Sequence, residues 1–315
     1  MTRECLPVAA LVLLLAVAAS TRAAESGPRF FPDRVGWASI EMSASKLLVT
    51  MDVTMAVERQ DLPSAQARLI TPLTDRERDT IHEAMALRFV TEGLGRRNEV
   101  ELLMDPETGD ALQRTTFRTG HRPKYRIYRF EDDHILRITR RPESGEDDLP
   151  PDRWSRVAEE TYSYPAPTAG SAVVEATSLI YLAATSGIAR PGDRLEFLAM
   201  ASDEFHIVEL ECQKPAEVRV DYFAIDGDRV ERFTGKTSAV RISIRARSLE
   251  PGKGEEFDLL GLKDLEVFLD PASRLPLELR GKVDFFGRVD FELNRVILDH
   301  KSAIGNPIDR GSEGQ

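Results

Sequence analysis

A two-residue repeat of apolar and charged side chains near the end of the chain limits the fold more than any other feature. Apolar residues occupy alternate positions in Leu275–Val283 and again in Val289–Leu293. This repeat is typical of strands with one buried face. Turn residues precede and separate the two runs at Asp270-Pro271 and at Gly287. Residues 268–294 therefore predict three antiparallel strands in a meander, in which the conspicuous Asp, Pro and Gly serve turn geometry rather than binding.

Similar runs recur along the chain and predict a mainly β protein. Further predicted strands are Ser45–Val57, Val100–Met104, Ala111–Arg118, Lys124–Phe130, Ile135–Arg140, Arg194–Ala201, Phe205–Cys212, Glu217–Ile225 and Ala239–Ser248.

Two short helices interrupt these strands. Thr74–Glu77 has the form of a capping box that opens a helix, although the pattern at Phe89 and Val90 also fits a strand. A second helix is predicted from about Glu175 to Ser186, where one face is apolar and Gly187 supplies a stop.

The chain is long enough for one large or two small domains, since it has 315 residues of which 42% are hydrophobic. The acidic, Pro-rich segment 142–171 predicts a surface connection between two halves of a β-rich region at 24–300, and residues 301–315 predict a flexible tail. The formal net charge is -11, and Lys and Arg are scattered along the sequence without a basic stripe. Nucleic acid is therefore not expected as a partner.

Residues 1–23 have the form of a cleavable signal peptide, with an apolar run at Leu6–Ser20 and a cleavage site after Ala23 or nearby. The run is too short for a membrane span, so we expect a periplasmic mature chain without a transmembrane anchor. Cys212 is then the only cysteine left, which excludes an internal disulfide. Its place in an apolar strand pattern favours a buried thiol.

The sequence predicts no catalytic, cofactor-binding or metal site. His82–Ala86 begins like a zinc-protease helix but lacks the second histidine, and Gly235–Thr237 lacks the first glycine of a phosphate loop. Asp226–Asp228 and the Asp105–Asp110 turn lack the spaced ligands of a calcium loop. A site assembled from distant residues stays open.

A weak internal echo links two of the predicted turns. The segment from Leu103 resembles the one from Phe268, and each reads as strand, Asp-Pro turn, strand. Convergence on a favourable turn sequence and an ancient duplication explain the echo about equally well.

The order of these elements resembles the bacterial exported-protein family known as domain of unknown function 3108. The resemblance is firmest over Ser178–Leu298, and the Arg that often follows the helix in that family has no clear match here. The positions that carry it are Gly192, Asp193, Asp270, Leu275, Pro276, Phe286 and Gly287. It implies a curved antiparallel sheet or open half-barrel wrapped partly round one or two short helices, similar to periplasmic lipoprotein carriers, and it implies no activity.

Two functional hypotheses follow from export, strand content and this resemblance. The first is a non-enzymatic envelope protein that binds a lipid or another apolar ligand in a concave sheet. The second is an interaction or assembly module that binds another envelope protein through a sheet edge or through the segment 142–171. An enzyme ranks third, because no motif names a reaction.

Overall fold

The computed structural model describes residues 30–46, 49–93, 95–120, 122–165, 172–201, 203–249, 262–283 and 287–299. The described chain is mainly β, with one large curved antiparallel sheet and a few short helices, as the sequence predicts. The predicted signal peptide and the predicted tail lie outside the described residues.

The described residues form fifteen strands and three α-helices. The strands are β1 (Trp37–Lys46), β2 (Val49–Asp61), β3 (Glu83–Gly93), β4 (Arg96–Met104), β5 (Ala111–Arg118), β6 (Lys124–Phe130), β7 (His134–Arg141), β8 (Arg156–Ser163), β9 (Val173–Glu175), β10 (Arg194–Ala201), β11 (Glu204–Asp226), β12 (Arg229–Ser248), β13 (Lys263–Leu269), β14 (Pro276–Val283) and β15 (Gly287–Leu298). The helices are α1 (Leu62–Gln66), α2 (Asp75–Thr80) and α3 (Leu179–Thr185), and the 3-10 turns are Pro32–Arg34, Pro151–Arg153 and Ala176–Ser178.

The strand order runs β8 to β1, then β15 down to β9, so the first and last strands pair at the centre of the sheet. The two edge strands, β8 and β9, are therefore consecutive in sequence. Fifteen strands laid flat would span about 65 Å at about 4.8 Å per strand, whereas the ten residues from Ser163 to Val173 reach at most about 35 Å. The sheet has to roll up to bring its edges together.

Side chains join the two halves where the rolled edges approach each other. The Asp110 carboxylate accepts a hydrogen bond from the backbone N–H of Val173 at 2.8 Å. The rings of Tyr164 and Phe205 meet edge to face with centroids 5.8 Å apart. These contacts link β9 to the turn between β4 and β5, and the residue after β8 to the start of β11.

Helix α3 lies inside the rolled sheet. Every residue of α3 and of the 3-10 turn before it is buried, and the main core surrounds them. The helix predicted from about Glu175 to Ser186 is confirmed as this 3-10 turn followed by α3, and it is buried on all sides as well as on the predicted apolar face. Small residues such as Ala183 and Ala184 let neighbouring strands approach it closely.

Two turns of identical hydrogen bonding pack against α3. In each, the Asp N–H bonds to the carbonyl five residues on, at 2.9 Å in both Asp105 and Asp270, and the residue four positions on has positive φ. That residue is Gly109 in the first turn and Arg274 in the second. The echo between the two segments is thus a shared turn geometry, and its origin stays open.

The second turn places a buried guanidinium at the C-terminus of α3. Arg274 donates to the carbonyls of Ala184 at 3.1 Å and Ala183 at 2.8 Å in the last turn of the helix, and the Ala183 carbonyl also accepts from the Ser186 hydroxyl at 2.9 Å. Burial lowers the pKa of Arg274 to about 10, with a smaller contribution from Arg34. The Asp270 turn thus aims a helix cap, which is a structural role.

Helices α1 and α2 form a small layer on the other face of the sheet. The predicted capping box of α2 is confirmed, with Thr74 and Glu77 bonded reciprocally. The Glu77 carboxylate also accepts two hydrogen bonds from the buried Arg129 guanidinium, at 2.8 and 2.6 Å. This ion pair fastens α2 to β6.

Three strand predictions need correction. The single strand predicted at Ser45–Val57 covers the end of β1 and most of β2, two strands that pair antiparallel. The strands predicted at Phe205–Cys212 and Glu217–Ile225 are one strand, β11, with a register shift between Gln213 and Ala216. Within the segment 142–171, predicted as a connection, β8 adds a strand to the sheet. The residues of β8 are mostly polar and exposed, so its sequence lacks the alternation that marks a strand with one buried face.

Candidate functional site

The inner face of the sheet, the face that joins the main core round α3, changes from apolar to cationic along β5–β8. Tyr128 and Ile135 on this face belong to the core. Because side chains alternate between faces, residues an even number of positions away on the same strand share that face, as do the residues directly opposite them on neighbouring strands. The cationic residues brought together in this way are Arg114, Arg118, Lys124, Arg126, Arg137, Arg141 and Arg156.

Three of these side chains form what we call the arginine site: Arg114, Arg126 and Arg137, with Tyr128 between them. Tyr128 lies directly opposite Arg114 on β5 and Arg137 on β7. The guanidinium carbon of Arg114 lies 5.2 Å from the centroid of the Tyr128 ring, and Arg126 donates to the Tyr128 hydroxyl at 3.2 Å. The ring thus holds the neighbouring guanidinium groups in a fixed arrangement.

Asp203, in the turn between β10 and β11, reaches across to this site. It accepts a hydrogen bond from the Tyr128 hydroxyl at 2.5 Å and a charge-assisted one from Arg137. Burial would raise the pKa of Asp203, but these two bonds and the nearby Arg126 hold it below its usual value. Burial and the bond to Asp203 raise the pKa of Tyr128. A charged Asp203 and a neutral Tyr128 therefore persist at neutral pH.

The three arginines of the site differ in how closely carboxylates pair with them. Arg114 pairs with the buried Glu175 at 3.0 Å, and Arg137 contacts both Asp203 and Glu160. For Arg126 the only carboxylate within ion-pair distance among the described residues is Asp203, at 4.0 Å, and Arg137 already holds that group. Arg126 is thus the least compensated charge of the site.

The Nε atoms of all three arginines are buried and find no hydrogen-bond acceptor among the described residues. The Thr116 hydroxyl, on the same face of β5, is also buried and has no hydrogen-bond partner among the described residues. Buried polar groups are nearly always paired in folded proteins, so such a cluster calls for an explanation.

Beyond the arginine site lies what we call the cationic rim: Arg118, Lys124, Arg141 and Arg156, at the ends of β5–β8 remote from α2. Arg118 lies directly opposite Lys124, and Arg141 directly opposite Arg156. Like charges directly opposite each other destabilise a sheet. Within the part of the chain that the structure describes, these four side chains have no ion-pair partner.

Lys124 registers the crowding of positive charge. Burial, and after it the charges of Arg126, Arg141, Arg118 and Arg137 in that order of importance, lower its pKa to about 8. The expectation that no basic stripe exists was therefore wrong. The cations are scattered in the sequence, but strand pairing aligns them on one face.

The motifs that the sequence analysis set aside lie apart from this site. Glu83–Gly93 is a strand rather than a helix, so the His82 segment has no zinc-protease geometry. Gly235 lies within β12, and Cys212 is buried in β11, where burial raises its pKa. No group of His, Cys, Asp or Glu side chains within the described ranges is arranged to hold a metal ion.

Comparison of the chain with family models, with curated proteins and with solved structures finds no match. Among the helices that the structure describes, none has the length and apolar character needed to cross a membrane.

Proposed function

We propose that this is an exported, non-enzymatic protein of the cell envelope that binds an anionic amphiphile, such as a lipid, on the inner face of its rolled sheet. The observation that supports this best is the change of that face from an apolar core to a concentrated set of cations. An amphiphile matches such a surface with its chain against apolar side chains and its head group against the arginines.

The position of α3 limits where the ligand lies. The helix and its core neighbours fill the inner face beside the Asp105 and Asp270 turns. The arginine site is more open, since the Arg114, Arg126 and Asp203 side chains retain 22%, 30% and 25% of their exposure. We therefore place the ligand at the far end of β5–β8, with access from the rim.

Periplasmic location, cleavage near Ala23 and the resemblance to the family of exported proteins belong to this proposal. They are consistent with a binding protein that works outside the cytoplasm. An envelope location would bring the protein close to membrane lipids.

Native mass spectrometry tests the proposal on the exported protein purified without detergent. The spectrum is recorded before and after extraction with organic solvent. We expect a stoichiometric adduct that extraction removes and that carries an acidic head group. A bare protein at its calculated mass in every charge state would contradict ligand carriage.

An assembly module is the second candidate, and one surface favours it. The end of the β11–β12 hairpin pairs with β15 and carries an apolar row on its outer face, in which Val230 is 61% and Ile297 39% exposed on either side of Ile225. Exposed apolar patches of this kind often mark protein contacts. A Val230→Asp variant that loses a stoichiometric envelope partner, while retaining its ligand, would favour this candidate.

A further inference from the structure

The charge balance of the inner face indicates what kind of anion fits there. The arginine site and the rim together hold seven cationic side chains, and the carboxylates in contact with them are Glu160, Glu175 and Asp203. Among the described residues, four of these positive charges are left without a carboxylate partner, in a protein whose formal net charge is -11. A face that keeps this imbalance lowers stability unless something else compensates it.

The geometry of the cations favours one class of anion over others. Guanidinium groups present paired N–H donors that match the oxygens of phosphate, and they are less strongly hydrated than ammonium groups. Three guanidinium groups meet here around one tyrosine, and each has a buried Nε without an acceptor among the described residues. A single carboxylate would neutralise one charge, whereas a phosphate group neutralises up to two and offers more acceptor oxygens.

We propose that the arginine site, with the cationic rim as its entrance, binds a phosphate-type oxyanion, presented as the head group of a lipid or as free phosphate. The inference deepens the proposed function, on which it rests for the apolar part of the ligand. The anion site itself does not depend on that part.

Arg126 is the residue on which binding depends most. It lies at the centre of the three strands, opposite Thr116 on β5 and Thr139 on β7, and no carboxylate holds it closely. Arg114 and Arg137 are already paired, so they set the local field and position Tyr128. The rim residues attract the anion over a longer range, an effect that salt screens.

Calorimetric titration of the full exported protein tests the inference with four probes: inorganic phosphate, decyl phosphate, decanoate and decanol. Wild type is compared with Arg126→Gln, which removes the charge but keeps an amide donor near Tyr128. The matched control is Arg229→Gln, since Arg229 is 77% exposed at the tip of the β11–β12 hairpin. Circular dichroism and thermal unfolding establish that each variant is folded. Arg118→Gln on the exposed rim is a second variant in case Arg126→Gln fails to fold.

We expect each phosphate probe to bind Arg229→Gln as tightly as it binds wild type. Binding to Arg126→Gln should weaken about tenfold or more, the loss expected for one charge-assisted hydrogen bond. Arg118→Gln should weaken binding less, and its effect should shrink in high salt.

The arms of the titration separate the two sources of phosphate. Tighter binding of decyl phosphate than of inorganic phosphate supports a lipid head group. Equal binding of the two supports free phosphate, so that the anion site stands while the proposed carriage of an amphiphile fails. Decanoate or decanol binding as tightly as decyl phosphate overturns the phosphate site while leaving apolar carriage in place. Failure of every probe to bind folded wild type overturns both.

Discussion

At the scale of single residues, Arg274 explains why the conspicuous stretch around Asp270 is structural. An arginine at φ +56 occupies a backbone conformation that favours glycine, and here it caps two helix carbonyls. Sequence reasoning recognised the turn, because Asp and Pro carry local signals. It could not recognise the cap, because Arg274 and Ala183 lie far apart in the chain.

Replacing Arg274 by glycine should lower the free energy of unfolding. Glycine relieves the backbone at this position, so any loss reports the guanidinium and its two carbonyl partners. We expect about 1–3 kcal/mol in urea denaturation, the range for a buried polar group left unsatisfied. Arg229→Gly, at an exposed position, is the comparison for the loss of an arginine. An unfolding curve for Arg274→Gly that coincides with wild type would contradict the capping role.

Gly109 offers a matched pair with Gly145, since both have positive φ, at +76 and +89. A Cβ added at Gly109 would lie 2.9 Å from the Phe30 ring and 3.3 Å from Leu182, whereas one at Gly145 would meet nothing within 4 Å. Gly145→Ala should therefore cost about 1 kcal/mol of strain, and Gly109→Ala should cost clearly more. Thermal unfolding of the two variants tests this, and equal melting temperatures would refute it.

Lys124 should make stability and anion binding respond to pH in opposite directions. Its pKa in the folded protein is about 8, below the ordinary value of 10.5. Between these values the unfolded chain binds more protons, so the free energy of unfolding rises with pH. Sulfate does not titrate in this range, and its affinity should fall above pH 8 as Lys124 loses its charge. Other titrating groups affect both curves, so the Lys124→Met variant supplies the baseline.

In Lys124→Met, both pH responses should be weaker than in wild type. In Lys124→Arg, which stays charged throughout, the fall in sulfate affinity above pH 8 should be reduced. Arg118, Arg126, Arg137 and Arg141 are the cations that act on Lys124. Identical pH profiles in wild type and Lys124→Met would exclude Lys124 as the titrating group.

At the scale of elements, the ion pair between Glu77 and Arg129 fastens the α2 layer to the sheet. Glu77→Gln leaves a fully buried guanidinium without its counter-charge, and we expect a loss of about 3–5 kcal/mol. In a cycle of Glu77→Leu, Arg129→Met and the double variant, the double variant removes both charges and should be destabilised by less than the sum of the two single variants. Chemical denaturation of the cycle measures this, and additive effects of the two substitutions would contradict a coupled pair.

Most elements could be predicted from sequence because their signals are local. Alternation predicted β4–β7 and β13–β15, and the capping box of α2 was legible at Thr74. β8 escaped because an exposed edge strand lacks the apolar alternation that marks a buried face. The cationic face escaped because it depends on which strands pair, and Arg118 meets Lys124 only through the register of β5 and β6.

At the scale of the whole molecule, the strand order accounts for the rolled shape. A chain that reaches one edge of a fifteen-stranded sheet and resumes at the other edge within ten residues cannot stay flat. Rolling encloses α3 and brings the turn bearing Asp203 to the arginines of β6 and β7. The arginine site is therefore a product of the global topology, and no single stretch of the sequence predicts it.

The central claim is that the inner face of this sheet selects an anionic head group through Arg126. The most direct test is quantitative mass spectrometry of the lipids that co-purify with wild type, Arg126→Gln and Arg229→Gln after export and purification without detergent. We expect one phosphate-bearing lipid per protein in wild type and Arg229→Gln, and a several-fold lower amount in folded Arg126→Gln. Equal lipid content in all three proteins, or lipids without an acidic head group, would contradict it.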